Sequence, residues 1–182
     1  MKILSDPQLK KIVRLAIKED LGKLGDITSN TVLTKRDRAT FHFVSRAKGI
    51  LCGINIAKIV FELIDEKIKF TSFKKDGYSI KKNEVLAKVE GPAISLLTGE
   101  RIALNFLTHL SGIATSTSMM VKLISHTDTK ILCTRKTTPG LRNIEKYAVK
   151  VGGGINHRIG LYDAILITVS YTHLTLPTNR EV

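Results

Sequence analysis

From Lys130 to Ile167 the chain alternates. The apolar run KILCT leads into the loop RKTTPG, the helical stretch LRNIEKYAVKVG, the loop GGINHR and a second apolar run, YDAILI. Strand, helix and strand in that order argue for parallel β/α units, as in a barrel or a doubly wound sheet. In such folds ligands bind at the carboxyl ends of the strands. Two basic pairs flank the helix, Arg135-Lys136 before it and His157-Arg158 after it, 22 positions apart. A buried scaffold is expected to deliver these cations to one place.

The chemistry of the pairs suits an anion. Thr134, Arg135 and Lys136 lie at or just beyond the end of the first apolar run. Arg135 offers a planar fork that can grip a carboxylate or phosphate with two bonds, and Lys136 offers a point charge. Thr137 and Thr138 add hydroxyls, and Pro139-Gly140 turns the chain into the helix. The plainer reading is a surface basic turn ahead of a helix. In VGGGINHR, three glycines allow close backbone approach or positive φ, yet they match neither a dinucleotide fingerprint nor a P-loop. His157 and Arg158 follow; alone they read as incidental polar residues of a flexible loop. Two cationic loops in adjacent units together suit a substrate with several negative groups. A third candidate is Arg101, four residues before Asn105 in TGERIALNFL, on a helix face other than that of Ile102, Phe106 and Leu110. Its alternative is an ordinary exposed helix face. No zinc spacing occurs, and the only carboxylates near the loops are Asp163 and Glu145.

The region before Pro92 has a different texture. SDPQLKKIVRLAIKEDLG reads as a helix, with Asp6 as N-cap, Pro7 in the first turn, Ile12, Leu15, Ala16 and Glu19 in helical phase, and Gly22 as the stop. GDITS reads as a turn. ATFHFVSRA, GILCG and KIKFTSF read as strands, INIAKIVFELID as an apolar helix, and DGYSIKKNEVLAKVEG as a hairpin. After Pro92 a long helical stretch runs to His126, with Gly112 expected to split it in two. Beyond Ile167 the segment TVSYTHLTLPTNREV has no helical stripe, and the β/α texture stops. The expected domains are therefore 1-105, an α/β sandwich, 106-167, the first part of a β/α barrel, and 168-182, an atypical tail. A β/α barrel takes eight strands and at least ~200 residues, so the second domain reads as cut short.

The formal charge of +13 over 182 residues implies an acidic partner. Lysine pairs are short and scattered, and with four Tyr, six Phe and no Trp there are few bases for nucleic-acid stacking. Cys52 and Cys133, 81 positions apart, form no metal or redox spacing and read as buried thiols. No apolar run approaches the ~20 residues of a membrane helix and the N-terminus lacks a signal-peptide core. The expectation is a reduced, cytoplasmic setting with no membrane and no nucleic-acid partner.

With these motifs in hand, the chain resembles the quinolinate phosphoribosyltransferase family, also called nicotinate-nucleotide pyrophosphorylase (carboxylating). The matching stretches are EDLGKLGDITS, GERIALNFLTHLSGIAT, TRKTTPGLR and KVGGGINHRIGLYDAILI, in family order over about residues 5 to 167. The resemblance implies an α+β N-terminal sandwich joined to an incomplete β/α barrel. It implies transfer of phosphoribose from phosphoribosyl pyrophosphate to quinolinate, with loss of carbon dioxide, giving nicotinate mononucleotide and pyrophosphate in NAD biosynthesis. It implies Mg2+, and a homodimer or higher oligomer whose sites are shared. Residue by residue, Arg135, His157 and Arg158 resemble the cations that grip quinolinate, Lys136 a basic catalytic residue near the phosphoribosyl substrate, and Arg101 the arginine donated across the dimer. Thr168 stands where the family has a lysine, and Cys133 where it has an aspartate; the metal carboxylates are expected in a part this chain lacks. Residues 168-182 are accordingly expected to be foreign and the chain inactive as written. Three other readings stay open: a paralogue of the same fold, such as that associated with molybdenum transport, a basic nucleic-acid-binding module, and a non-catalytic fragment that only dimerises.

Overall fold

The computed structural model describes residues 6–167. The tail from 168, with Thr168 and the expectation that the segment is foreign, lies outside the described residues. Helix α1, Asp6–Leu21, buries Val13 completely and packs Leu9, Ile12, Ala16 and Ile17 against the core. Leu15, expected on that stripe, is exposed: it lies two positions, or about 200°, around the helix from Val13. Gly22 ends α1 at φ +52°, its N–H donating to the Lys18 carbonyl, as expected. GDITS is more than a turn. Asp26 accepts from the Ser29 N–H at 2.9 Å and starts a short helix α2, Ile27–Val32.

Strands β1 (Arg38–Val44), β3 (Lys69–Ser72) and β5 (Val85–Pro92) form an antiparallel sheet in the order β1-β5-β3. Phe41 faces Val89 and Phe43 faces Ala87 in register. Alternation turns Phe43, Ala87 and Val89 inward. There Phe43, Phe61 and Phe70 cluster with ring centroids about 6 Å apart. Phe61 comes from α3, Ile54–Ile64, which is buried at Ile54, Ile56, Ala57, Ile59, Val60 and Phe61. The expected hairpin does not form. Its first arm, β4 (Ser79–Ile80), pairs with β2 (Gly49–Ile50), whereas β5 lies in the larger sheet. The turn at Asn83, φ +65°, is held instead by the end of β1, since Asn83 N–H donates to Ser45 O and Ser45 N–H to Glu84 O. GILCG is likewise a strand for two residues only. Hydroxyls of the long helix α4, Ala93–Leu123, take over its backbone: Thr115 Oγ1 accepts from Ile50 N–H at 2.8 Å, and just past the strand Ser111 Oγ accepts from Cys52 N–H at 3.0 Å.

Helix α4 is continuous from Ala93 to Leu123, through Gly112. Leu96, Ile102, Ala103, Phe106, Leu107, Leu110 and Ala114 are buried along it, in one phase on both sides of the glycine. A helical glycine costs only about 1 kcal/mol against alanine, and a stripe that keeps its register outweighs it. After α4 comes α5, Arg142–Val151, with Ile144 and Ala148 fully buried. Between and beyond them Leu132 pairs in parallel with Ile155: Ile155 N–H donates to Ile131 O and Cys133 N–H to Ile155 O. This is the first β/α pair of a barrel, following an α+β sandwich. The second expected strand, YDAILI, is absent. Residues 161–163 form a turn, and Ile165 and Ile167 are exposed; residues 164–167 pair with no strand among the described residues, and an unpaired strand gains no ladder bonds.

Nothing lies within 4 Å of a Cβ placed on Gly112. Gly112→Ala should therefore stabilise the chain by about 0.5–1 kcal/mol, read as a raised midpoint in thermal unfolding. A lowered midpoint would mean that this face of α4 is occupied.

Candidate functional site

The parallel pairing of Leu132 with Ile155 fixes the site, because both segments then end on the same side. Thr134, Arg135 and Lys136 leave one end, and Asn156, His157 and Arg158 the other. The loops touch: His157 N–H donates to Cys133 Sγ at 3.3 Å. Arg135, His157 and Arg158 are half-buried, while Lys136 is exposed, its N–H on Thr134 Oγ1. Three polar atoms here are shielded from water with no partner, Arg135 Nε, Arg158 Nε and Asn156 Oδ1. Such an atom costs about 1–3 kcal/mol when left unmade. The inner nitrogens of both guanidinium groups are thus closed off, while one outer nitrogen of Arg158 donates to Ala164 O at 3.0 Å.

Arg101 is elsewhere. It is exposed on α4 and lines a groove of about 1070 Å³ between α4 and the β1–β2 segment, with Asn105, Thr108 and Ser111. Neither cationic loop lines this groove. Within one chain, then, Arg135, His157 and Arg158 are brought together with Lys136 alongside, and Arg101 is not among them.

The residues that assemble the site are those that sequence periodicity missed, and they lie on α5. Lys146 is 2% exposed. Its ammonium donates to Cys133 Sγ at 2.9 Å, His157 O at 3.0 Å and Arg158 O at 2.9 Å. Cys133, expected to be a buried thiol, is only half-buried and serves as one of these acceptors; Cys52 is fully buried. Glu145, also buried, accepts from Thr138 N–H and bonds His109 Nε2 on α4, both at 3.0 Å. Arg142 reaches Thr137 Oγ1 and Ile159 O. Tyr147 O–H donates to Asp76 at 2.8 Å, and the other Asp76 oxygen accepts from Gly53 and Ile54 N–H at the start of α3. Burial, with Asp76 beside it, pushes the Tyr147 hydroxyl upward, so it stays a donor. The only signal in the sequence is position: a short helix clasped by two loops and a long helix can bury charged residues outside its apolar stripe.

The glycines serve packing more than ligand approach. A Cβ on Gly152 would collide with the Ala114 carbonyl oxygen, and one on Gly154 would lie 2.8 Å from Val149 and 2.9 Å from Thr117. Gly153 takes φ +92°, which side chains rarely adopt.

Burial alone would raise the Glu145 carboxyl, but its bonds from Thr138 and His109 outweigh this and hold it below the ordinary glutamate range. A carboxyl lowered on folding contributes stability above its unfolded pKa and loses it as pH falls through the folded one. The wild type should thus be more stable than Glu145→Gln near pH 7, and the gap should close toward about pH 3. A gap independent of pH in paired thermal melts would show that the charge on Glu145 contributes nothing.

Comparison with known proteins accounts for both halves. The quinolinate phosphoribosyl transferase N-terminal domain matches residues 26–111, and the C-terminal domain of the same family matches residues 113–177. A probable nicotinate-nucleotide pyrophosphorylase (carboxylating) of Bacillus subtilis is 47% identical over 88% of this chain and 55% of its own length. The nicotinate-nucleotide pyrophosphorylase structure from Ehrlichia chaffeensis superposes with a TM-score of 0.87 at 43% identity, over 94% of this chain and 61% of that one. That from Francisella tularensis gives 0.87 at 40% identity, over 92% and 60%. The chain thus spans little more than half the length of these relatives. Both domains of one family are matched in order, across the sandwich and across the two cationic loops, and the chain belongs to the quinolinate phosphoribosyltransferase family.

Proposed function

We propose that this chain carries the dicarboxylate-gripping part of a quinolinate phosphoribosyltransferase site, for the decarboxylating transfer that makes nicotinate mononucleotide. One observation carries the reading: Arg135 and Arg158, each on its own loop, leave the same side of the paired segments at Leu132 and Ile155. Quinolinate has two adjacent carboxylates, and two guanidinium groups so placed can each take one. A charge-assisted bond contributes roughly 1.5–3 kcal/mol, so several are needed against the ligand's hydration. His157 and Arg158 belong to one loop and Arg135 to the other, so each loop offers one carboxylate a cation. Lys136, exposed beside them, is the residue assigned to the phosphoribosyl substrate and to catalysis.

In the reaction the pyridine nitrogen attacks the anomeric carbon of phosphoribosyl pyrophosphate, and the carbon–oxygen bond to pyrophosphate breaks. The ring nitrogen becomes a pyridinium. The carbon–carbon bond to the adjacent carboxylate then breaks, carbon dioxide leaves, and the pyridinium stabilises the electron pair left behind until a proton takes it. The protein's contribution is to position the ring and neutralise its charge. Magnesium is implied by the family. The described residues do not fit it: among them no group of three or more His, Cys, Asp and Glu could hold a metal ion. Glu145 is already bonded to Thr138 and His109, and Asp163 to Ile159 N–H.

Arg101 enters the proposal through a second copy of the chain. It is exposed and lines a groove apart from the loops, which agrees with an arginine serving its partner's site in a homodimer. Among the described residues no helix is long and apolar enough to cross a membrane, and two free thiols agree with the reduced cytoplasm we assign to it.

Titration calorimetry with quinolinate tests the reading. Arg135→Ala should weaken binding about 10- to 100-fold; unchanged affinity removes Arg135 from the site. For the shared site, Arg101→Ala and Arg158→Ala each bind poorly alone. Mixed and allowed to exchange, they should recover roughly one intact site in four, as expected for random pairing in a twofold dimer. No recovery would exclude Arg101 from a partner's site.

A further inference from the structure

We infer that Lys146 is a positioning residue that helps set the spacing between the two cationic loops, and so selects a dicarboxylate over a monocarboxylate. The inference rests on the proposed quinolinate site. An ammonium has three N–H donors, and all three are filled here, each by a different part of the loops: Cys133 Sγ at the end of the first apolar run, His157 O and Arg158 O in the second loop. None is left for a substrate, so the residue acts through others. Its side chain is 2% exposed, and the acceptors are two carbonyls and a sulfur rather than a carboxylate.

A buried ammonium among such acceptors is a poor device for stability alone, because desolvation of a charge is returned fully only by good pairing. Its geometric consequence is definite. The residue just before Thr134-Arg135 and the peptide units of His157 and Arg158 are all fixed to one nitrogen on one helix. Backbone pairing at Leu132 and Ile155 and the His157 N–H bond to Cys133 already hold the segments side by side, and Lys146 adds the tie nearest Arg158, so the separation of Arg135 from Arg158 depends on it as well. A ligand with a single carboxylate needs only one loop and is indifferent to that separation. A ligand with two adjacent carboxylates needs both loops at the right distance. The lysine also adds a positive charge beneath the loops, whose attraction scales with ligand charge, so by charge alone a tenfold effect on the dicarboxylate would bring an effect of about threefold on the monocarboxylate.

The experiment compares quinolinate with nicotinate, which differ by one carboxylate, in calorimetric titrations of the whole chain. Lys146→Met removes the ammonium and keeps the unbranched four-atom stem. The expected result is a quinolinate affinity about tenfold weaker or more, with nicotinate affinity changed less than about twofold. No loss for either ligand, equal losses for both, or a nicotinate loss as large as charge alone predicts, about threefold for a tenfold quinolinate loss, would overturn the inference. Cys133→Ala is the second variant, should the buried methionine prevent folding. It removes one of three acceptors and should lower the quinolinate-to-nicotinate ratio by a smaller factor; an unchanged ratio would also overturn the inference. The wild type separates the two readings. If it prefers quinolinate and Lys146→Met keeps that preference, only the role of Lys146 falls. If the wild type has no preference, the proposed site falls, and the inference with it.

Discussion

The two halves of this molecule share one apolar stripe. Along α4 the same helical phase buries Leu96, Ile102, Ala103, Phe106 and Leu110 on the side of α3 and the sheet, then Ala114 and Thr117 toward the glycine run. Each large side chain buried this way contributes roughly 1.5–3 kcal/mol, so the stripe outweighs any single polar link. The polar links give it direction. Thr115 holds Ile50 at the end of β2 and Ser111 holds Cys52 beyond it, His109 holds Glu145, and Tyr147 answers Asp76 at the head of α3. The cationic loops are placed relative to the sandwich through α4 and α5 rather than through their own contacts with it.

That arrangement explains how so much positive charge can be tolerated in one place. Arg135, Lys136, Lys146 and Arg158 lie within two loops and one buried helix face, while both nearby carboxylates are committed, Glu145 to Thr138 and His109, and Asp163 to Ile159. Like charges so arranged repel, and two guanidinium donors are left without acceptors. The dicarboxylate proposed for this site would offset that repulsion. Preorganised donors of this kind are the means by which proteins stabilise charge without reorganising at the moment of reaction.

The two basic pairs are local features of the sequence, but what brings them together was not legible: Ile155, within the expected loop, pairs in parallel with Leu132, while the second apolar run forms no strand. Pairing partners elsewhere were no more legible. DGYSIKKNEVLAKVEG has the alternation of a hairpin, yet β4 joins β2 and β5 joins β1 and β3, since alternation records which face is buried and not which neighbour is bonded. Gly112 misled for a related reason: propensity is a weak prior, and the stripe on either side of it decides. Lys146 and Glu145 were invisible because burial of charge depends on what surrounds a helix on every side, and periodicity describes only one face.

The glycine run has a consequence for redesign. Gly152 and Gly154 seat the second loop on α4 at Ala114 and Thr117, where no side chain fits, whereas Asn156, His157 and Arg158 come after that seat. Anchor and grip are thus successive segments of one loop, governed by different neighbours. The three terminal residues can be exchanged to suit another anion without disturbing how the loop is moored, while a single methyl group at 152 would shift every residue downstream of it.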